Sequence, residues 1–259
     1  MTRWALLIEY DGTSFVGWQR QATGLSVQEV LETAASRLVH GEPVASIVAG
    51  RTDAGVHAEG QVAQLDLPDT LPAQKVRDAL NFHMKPHPVV VLHAARAPDG
   101  WNARFSAVGR AYCYRILNRR VRPALLAGRV WHVAADLDAA AMHQAAQSLL
   151  GRHDFTSFRA AACQAKSPLR TLDRLDVRRD GELIEIIAEA RSFLHHQVRN
   201  MVGTLKLVGE GRWQMERVAA ALAARDRATA GPTAPAEGLY LTGVRYPMAL
   251  FTNPLRAER

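Results

Sequence analysis

The chain reads as an α+β protein of two ferredoxin-like (split βαβ) units, with antiparallel mixed sheets forming a central cleft and helices on the outer faces. Three observations predict this. Apolar runs of strand length recur from end to end, helical periodicity follows only some of them, and the first hundred residues run strand, helix, strand, strand, helix, strand. A doubly wound sheet would need a helix after every strand. The expected domains are residues 1–103 and 104–259, joined near residues 100–107.

Trp4–Glu9 is a short apolar strand, punctuated by Asp11-Gly12 before a loop with Phe15, Trp18, Gln19 and Arg20. Ser26 with Glu29 three residues later forms a capping box. Val27, Val30, Leu31, Ala34, Ala35 and Leu38 then give helical spacing, and Gly41 closes the helix. Strands are expected at 44–49 and 60–67, a helix at Ala73–Phe82 and a strand at Pro88–Ala97. In the second part Val108–Asn118 alternates, Val130–Val133 is a further strand, and the alanine-rich Asp138–Leu150 is helical up to Gly151. Leu172–Arg178 and Leu183–Ala190 flank Asp180-Gly181, a hairpin signal. Phe193–Val208 and Met215–Ala224 are helical by periodicity. A loop over Thr229–Glu237 precedes a last strand, Leu239–Tyr246, and Asn253–Arg259 looks frayed.

With 259 residues, 48% of them hydrophobic, the chain can bury a substantial core. Its formal net charge of +7 is carried mostly by arginine, whose planar fork pairs with phosphate, so a polyanionic partner fits as well as simple solubility does. Cys113 and Cys163 stand far apart, which indicates neither a disulfide framework nor a cysteine zinc site. No signal pattern or membrane-length apolar run is present, so a cytoplasmic location is expected. The Walker and dinucleotide glycine loops and the serine nucleophile elbow are all missing from the sequence.

Three stretches remain for chemistry. Gly50-Arg51-Thr52-Asp53-Ala54-Gly55-Val56-His57 sets a carboxylate in a glycine-bracketed turn beside a guanidinium, a hydroxyl and an imidazole, between two strands. Asp-Ala-Gly alone is an ordinary turn; its neighbours distinguish it. Arg110-Ala111-Tyr112-Cys113-Tyr114-Arg115 puts Tyr112 and Tyr114 on one strand face, where a tyrosine can stack on a base or fill a core. In Phe193-Leu194-His195-His196-Gln197-Val198-Arg199-Asn200, Arg199 lies four residues after His195, a helix-neighbour spacing. Adjacent histidines diverge by about 100° on a helix, so His195 and His196 do not form a metal pair there.

Together with Tyr10–Gln21 and Asn102–Ala107, these stretches resemble, in order and over nearly the whole chain, the bacterial tRNA pseudouridine synthase A family. The resemblance implies isomerisation of uridines at tRNA positions 38, 39 and 40 in the anticodon stem-loop, with no cofactor and no metal, by a homodimer. It assigns Asp53 as the catalytic aspartate, Tyr112 as the active-site tyrosine and Arg199 as the arginine paired with the aspartate. Arg51 and Arg110, with Tyr112, are the expected substrate-binding residues. Breaking the N1–C1′ bond, rotating uracil and joining C5 to C1′ needs one carboxylate and consumes no water. The chain departs from the family pattern at Ala111 and Cys113, where basic residues are expected.

Two alternatives stay open from the residues themselves. A non-catalytic tRNA-binding protein could use the same basic surface. An RNA N-glycosidase could share the first bond cleavage, although glycoside hydrolysis usually employs two carboxylates and only Glu59 offers a second.

Overall fold

The computed structural model describes residues 1–69 and 71–251, and the expected fraying at Asn253–Arg259 lies outside the described residues. Among the described residues, ten strands and five α-helices make an α+β fold in two compact units. The first unit comprises Met1–Val108 and the chain from Leu241 onward; the second is Gly109–Tyr240.

In the first unit the order is β1 (Thr2–Tyr10), α1 (Val27–Arg37), β2 (Ser46–Val48), β3 (His57–Leu67), α2 (Ala73–Met84) and β4 (Val89–Arg96). β1 pairs antiparallel with both β3 and β4, and β2 pairs antiparallel with β3, which gives the order β4-β1-β3-β2 of a split βαβ unit. β1 is apolar on both faces. Trp4, Leu6 and Ile8 are fully buried on one, while Ala5 and Leu7 on the other join a cluster with Ala49, Val62, Trp101 and Ala103. α1 begins where the capping box places it: Ser26 Oγ accepts the Glu29 N–H at 3.1 Å, worth about 1 kcal/mol of helix stability. Its buried stripe Val27, Val30, Leu31, Ala34, Ala35 packs beside α2 and β4.

The second unit contains β5 (Gly109–Asn118), β6 (Trp131–Val133), α3 (Ala139–Ala146), β7 (Gly151–Asp154), β8 (Leu169–Asp180), β9 (Leu183–Ala190), α4 (Gln197–Gly209) and α5 (Glu216–Ala224). Its sheet runs β5-β9-β8-β7, all antiparallel, with β6 parallel to β5. The hairpin forms where Asp180-Gly181 predicts it: Asp180 pairs with Leu183, and Gly181 takes φ 56°. Asp138 caps α3 through the Ala141 N–H at 2.9 Å. The predicted helix to Leu150 tightens into a 3₁₀ turn at Gln147–Leu149, and Gly151, at φ 93°, starts β7. That short polar strand has no apolar alternation to announce it.

Three expectations need correction. The compact units divide at 108/109 rather than 103/104, and β10 (Leu239–Arg245) carries the chain back into the first unit instead of staying in a 104–259 domain. There β10 neighbours β3, and it comes so close that a Cβ on Gly60 would lie 2.5 Å from the Thr242 carbonyl oxygen. The helix predicted from Phe193 begins only at Gln197, because His196 adopts the left-handed conformation at φ 62° and offers no side-chain cap. His195 is therefore not a helical neighbour of Arg199. The 100° divergence expected of helical histidines does not apply either, since the His195 and His196 rings lie 4.0 Å apart between centroids.

Candidate active site

Asp53 belongs to the first unit; Tyr112 and Arg199 belong to the second. The Asp53 loop is built by main-chain contacts with residues 11–18. Trp18 N–H donates to the Thr52 carbonyl at 3.0 Å, Gly55 N–H to that of Phe15 at 3.3 Å, and Val56 N–H to that of Asp53 at 3.1 Å. Gly17 forms an isolated bridge with Asp53. The two backbones touch so closely that a Cβ on Gly12 would lie 2.0 Å from the Val56 oxygen; one on Gly17, at φ 108°, would lie 2.7 Å from the Thr52 oxygen. Glycine is required at both positions.

Within the octapeptide, structure and chemistry separate. The Thr52 hydroxyl is buried and hydrogen-bonds the Tyr10 phenol at 2.7 Å, and Gln61 Nε2 donates to the Gly50 carbonyl at 2.8 Å. His57 is 2% exposed; its Nδ1 accepts the Gly12 N–H at 3.0 Å and lies 3.2 Å from the Asp11 carboxylate. Imidazole and hydroxyl thus brace the loop. Asp53 is half-buried and Arg51 exposed on this braced loop. Glu59, the second carboxylate considered, is half-buried on β3.

Burial pushes the Tyr10 hydroxyl up to about 12, against hydrogen bonds from Thr52 and Gln61 that act the other way. The sign of the linkage follows. Below pH 10 both folded and unfolded chains hold this proton. Between the unfolded value of 10.0 and the folded value of about 12 only the folded chain does, so stability is lost as pH rises through that window. Burial raises Tyr114 as well, so it acts in the same sense. We expect a urea midpoint that is flat from pH 8 to 9.5 and falls above pH 10; circular dichroism showing no fall by pH 11.5 would contradict the assignment.

β5 and α4 carry the rest of the site. The tyrosine pair divides: Tyr114 is fully buried, donates to the Pro235 carbonyl at 2.8 Å and meets Trp131 edge-on, whereas Tyr112 is half-exposed with its ring edge-on to Phe193 at 5.2 Å. Tyr114 is a core residue and Tyr112 the one that can meet a ligand. Arg110 donates to the Arg191 carbonyl at 2.7 Å. Arg199 Nε donates to the Ala234 carbonyl at 2.8 Å, and the Ala234 N–H donates back to the Arg199 carbonyl at 3.1 Å. Phe193, which walls Tyr112, opens the third of the sequence stretches read for chemistry, though without a role there, and Ala234, which holds Arg199, was not singled out from the sequence. Only the glycine- and proline-rich character of residues 229–237 hinted at a loop there.

A model of a family described as tRNA pseudouridine synthase matches residues 6–106 and 145–247; Asp53 and Arg199 fall inside these stretches and Tyr112 between them. The chain is similar to the tRNA pseudouridine synthase A of Acidiphilium cryptum, 75% identical over 247 residues that span 95% of this chain and 97% of that protein. It is 63% identical to the one from Rhodospirillum centenum over 246 residues, covering 95% and 100%, and 58% identical to that of Gluconobacter oxydans over 249 residues, covering 95% and 90%. The chain belongs to the tRNA pseudouridine synthase family. Among the described residues no helix is long and apolar enough to cross a membrane.

Proposed function

We propose that the protein isomerises uridine to pseudouridine at positions 38, 39 and 40 of the tRNA anticodon stem-loop, acting as a cytoplasmic homodimer. The observation that carries the reading is the half-buried carboxylate of Asp53 on a braced loop, in a chain of this family. Asp53, Tyr112 and Arg199 act on one uridine. Asp53 either adds to the sugar or removes a C2′ proton, so that the N1–C1′ bond breaks without water. Arg199 supplies the guanidinium that the family pattern pairs with the catalytic aspartate. Tyr112 stacks on the freed uracil while it turns; C5 then joins C1′, displacing the Asp53 oxygen on the first route or adding as C2′ regains its proton on the second, and Tyr112 takes the C5 proton.

A base in a stem must first leave its stack, at a cost of a few kcal/mol. Arg51 and Arg110 help to hold the displaced strand by its phosphates. The positive balance of the whole chain, +7, supplies the long-range attraction. A-form stems hide their base edges in a narrow major groove, so recognition rests on tRNA shape, which suits an enzyme that accepts neighbouring uridines.

The test is incubation with an unmodified tRNA carrying uridines at these positions, without added metal or nucleotide, read by mass spectrometry and pseudouridine mapping. The expected product keeps its mass and carries pseudouridine at those positions. Free uracil would instead identify an N-glycosidase, and binding with no product would identify a tRNA-binding protein.

A further inference from the structure

We propose that Thr233 is a positioning residue for Arg199, acting through Asn200, Arg227 and the Ala234 carbonyl; the proposal rests on the reading of Arg199 given above. Residues 230–235 form neither strand nor helix, and Pro232 and Pro235 have no N–H to give. Yet this segment supplies the carbonyl that holds Arg199 Nε and the N–H that meets the Arg199 carbonyl. The segment is fixed from below by Asn200, the residue after Arg199, which is completely buried.

Asn200 Oδ1 accepts the Thr233 hydroxyl at 2.7 Å and Arg227 Nη2 at 3.2 Å, while its Nδ2 donates to the Phe158 carbonyl at 2.9 Å. Arg227 Nη2 also donates to Thr233 Oγ1 at 3.2 Å, and Nη1 to the Gly231 carbonyl at 2.9 Å. Thr204 completes the tie, accepting the Gly231 N–H at 2.9 Å and donating to the Asn200 carbonyl at 2.7 Å. The Thr233 hydroxyl is where this network grips the loop, one residue before Ala234. Loss of that grip frees the Ala234 carbonyl to drift, and the guanidinium drifts with it.

A misplacement of about 1 Å in a reacting group can cost about a hundredfold in rate. Thr233→Val keeps the shape and removes the hydroxyl; Thr233→Ser keeps the hydroxyl. On tRNA, Thr233→Val is expected to lower kcat about ten- to a hundredfold, with KM within about threefold of wild type and the melting temperature within a few degrees. Thr233→Ser restores kcat to within about threefold. In an Arg199→Ala background, Thr233→Val lowers the single-turnover rate no further, because its effect passes through Arg199. Wild-type turnover in Thr233→Val, an equal loss in Thr233→Ser, or full additivity with Arg199→Ala would each overturn the proposal. Wild-type turnover in Arg199→Ala alone would remove its premise, an outcome distinct from failure at Thr233.

Discussion

Asp53→Asn is expected to abolish pseudouridine formation, with a fall in single-turnover rate of about 10⁴-fold or more, which corresponds to about 5 kcal/mol of transition-state stabilisation. Asparagine matches aspartate in shape but cannot add to a sugar carbon or take a proton from one, so whichever route the reaction follows loses the carboxylate it depends on. The loop itself should survive. Its frame is made by the main-chain bonds from Trp18, Gly55 and Val56 and by the Tyr10–Thr52 pair, all of which asparagine leaves in place. Binding should survive too, because removing a negative charge from a surface that meets a polyanion does not weaken the encounter. The prediction is therefore a separation: tRNA affinity within about threefold of wild type, by filter binding at fixed salt, beside loss of product. Asp53→Ala should behave alike, which guards against slow deamidation of asparagine back to aspartate. Substantial product from either variant would assign the chemistry to another residue.

Much of this was legible in the sequence, for local reasons. Ser26 with Glu29, Asp138, and Asp180-Gly181 are punctuation whose physics lies within a few residues, and each marks the boundary it predicts. The octapeptide was legible because a carboxylate in a glycine-bracketed turn stands beside a guanidinium, a hydroxyl and an imidazole. What the sequence could not show was which neighbours act on that loop's structure. His57 and Thr52 look like reagents until burial reveals them as braces for Gly12 and Tyr10. The start of α4 was misplaced because Leu194 continues the apolar spacing of Val198, Met201 and Val202, while nothing in the letters of His196 declares a left-handed residue. The return of β10 to the first unit depends on long-range pairing, to which local periodicity is blind. Ala234 was invisible for a different reason: it works through its main chain, and main-chain atoms leave no trace in residue identity.

That last point leads to a second large effect. Gly203→Ala is expected to destabilise the protein by about 3 kcal/mol, even though alanine is the better helix former by about 1 kcal/mol. Gly203 sits within α4 where the 231–234 segment crosses it, and a Cβ there would stand 1.8 Å from the Pro232 carbonyl oxygen, 2.9 Å from its carbon and 3.2 Å from the Ala234 nitrogen. The obstacle is backbone, which cannot swing aside as a side chain would. Nor can the segment retreat: Ala234 N–H is bonded to the Arg199 carbonyl, and Gly231 is held by Arg227 and Thr204. Gly231 is subject to the same closeness from the other side, since its own Cβ would lie 2.7 Å from the Thr204 Cα. For a chain of this size the loss corresponds to a melting temperature lower by roughly 6–12 °C. Gly243→Ala serves as the comparison. Its Cβ would meet nothing within 4 Å, so its melting temperature should stay within about 2 °C of wild type. Because Gly203 lies one turn beyond Arg199 and pushes on the segment that holds it, the surviving folded Gly203→Ala should also turn over slowly at low temperature, where stability is not limiting. If its rate per folded molecule matches wild type, the segment can shift without moving Arg199, and the close packing of α4 on this loop serves stability alone.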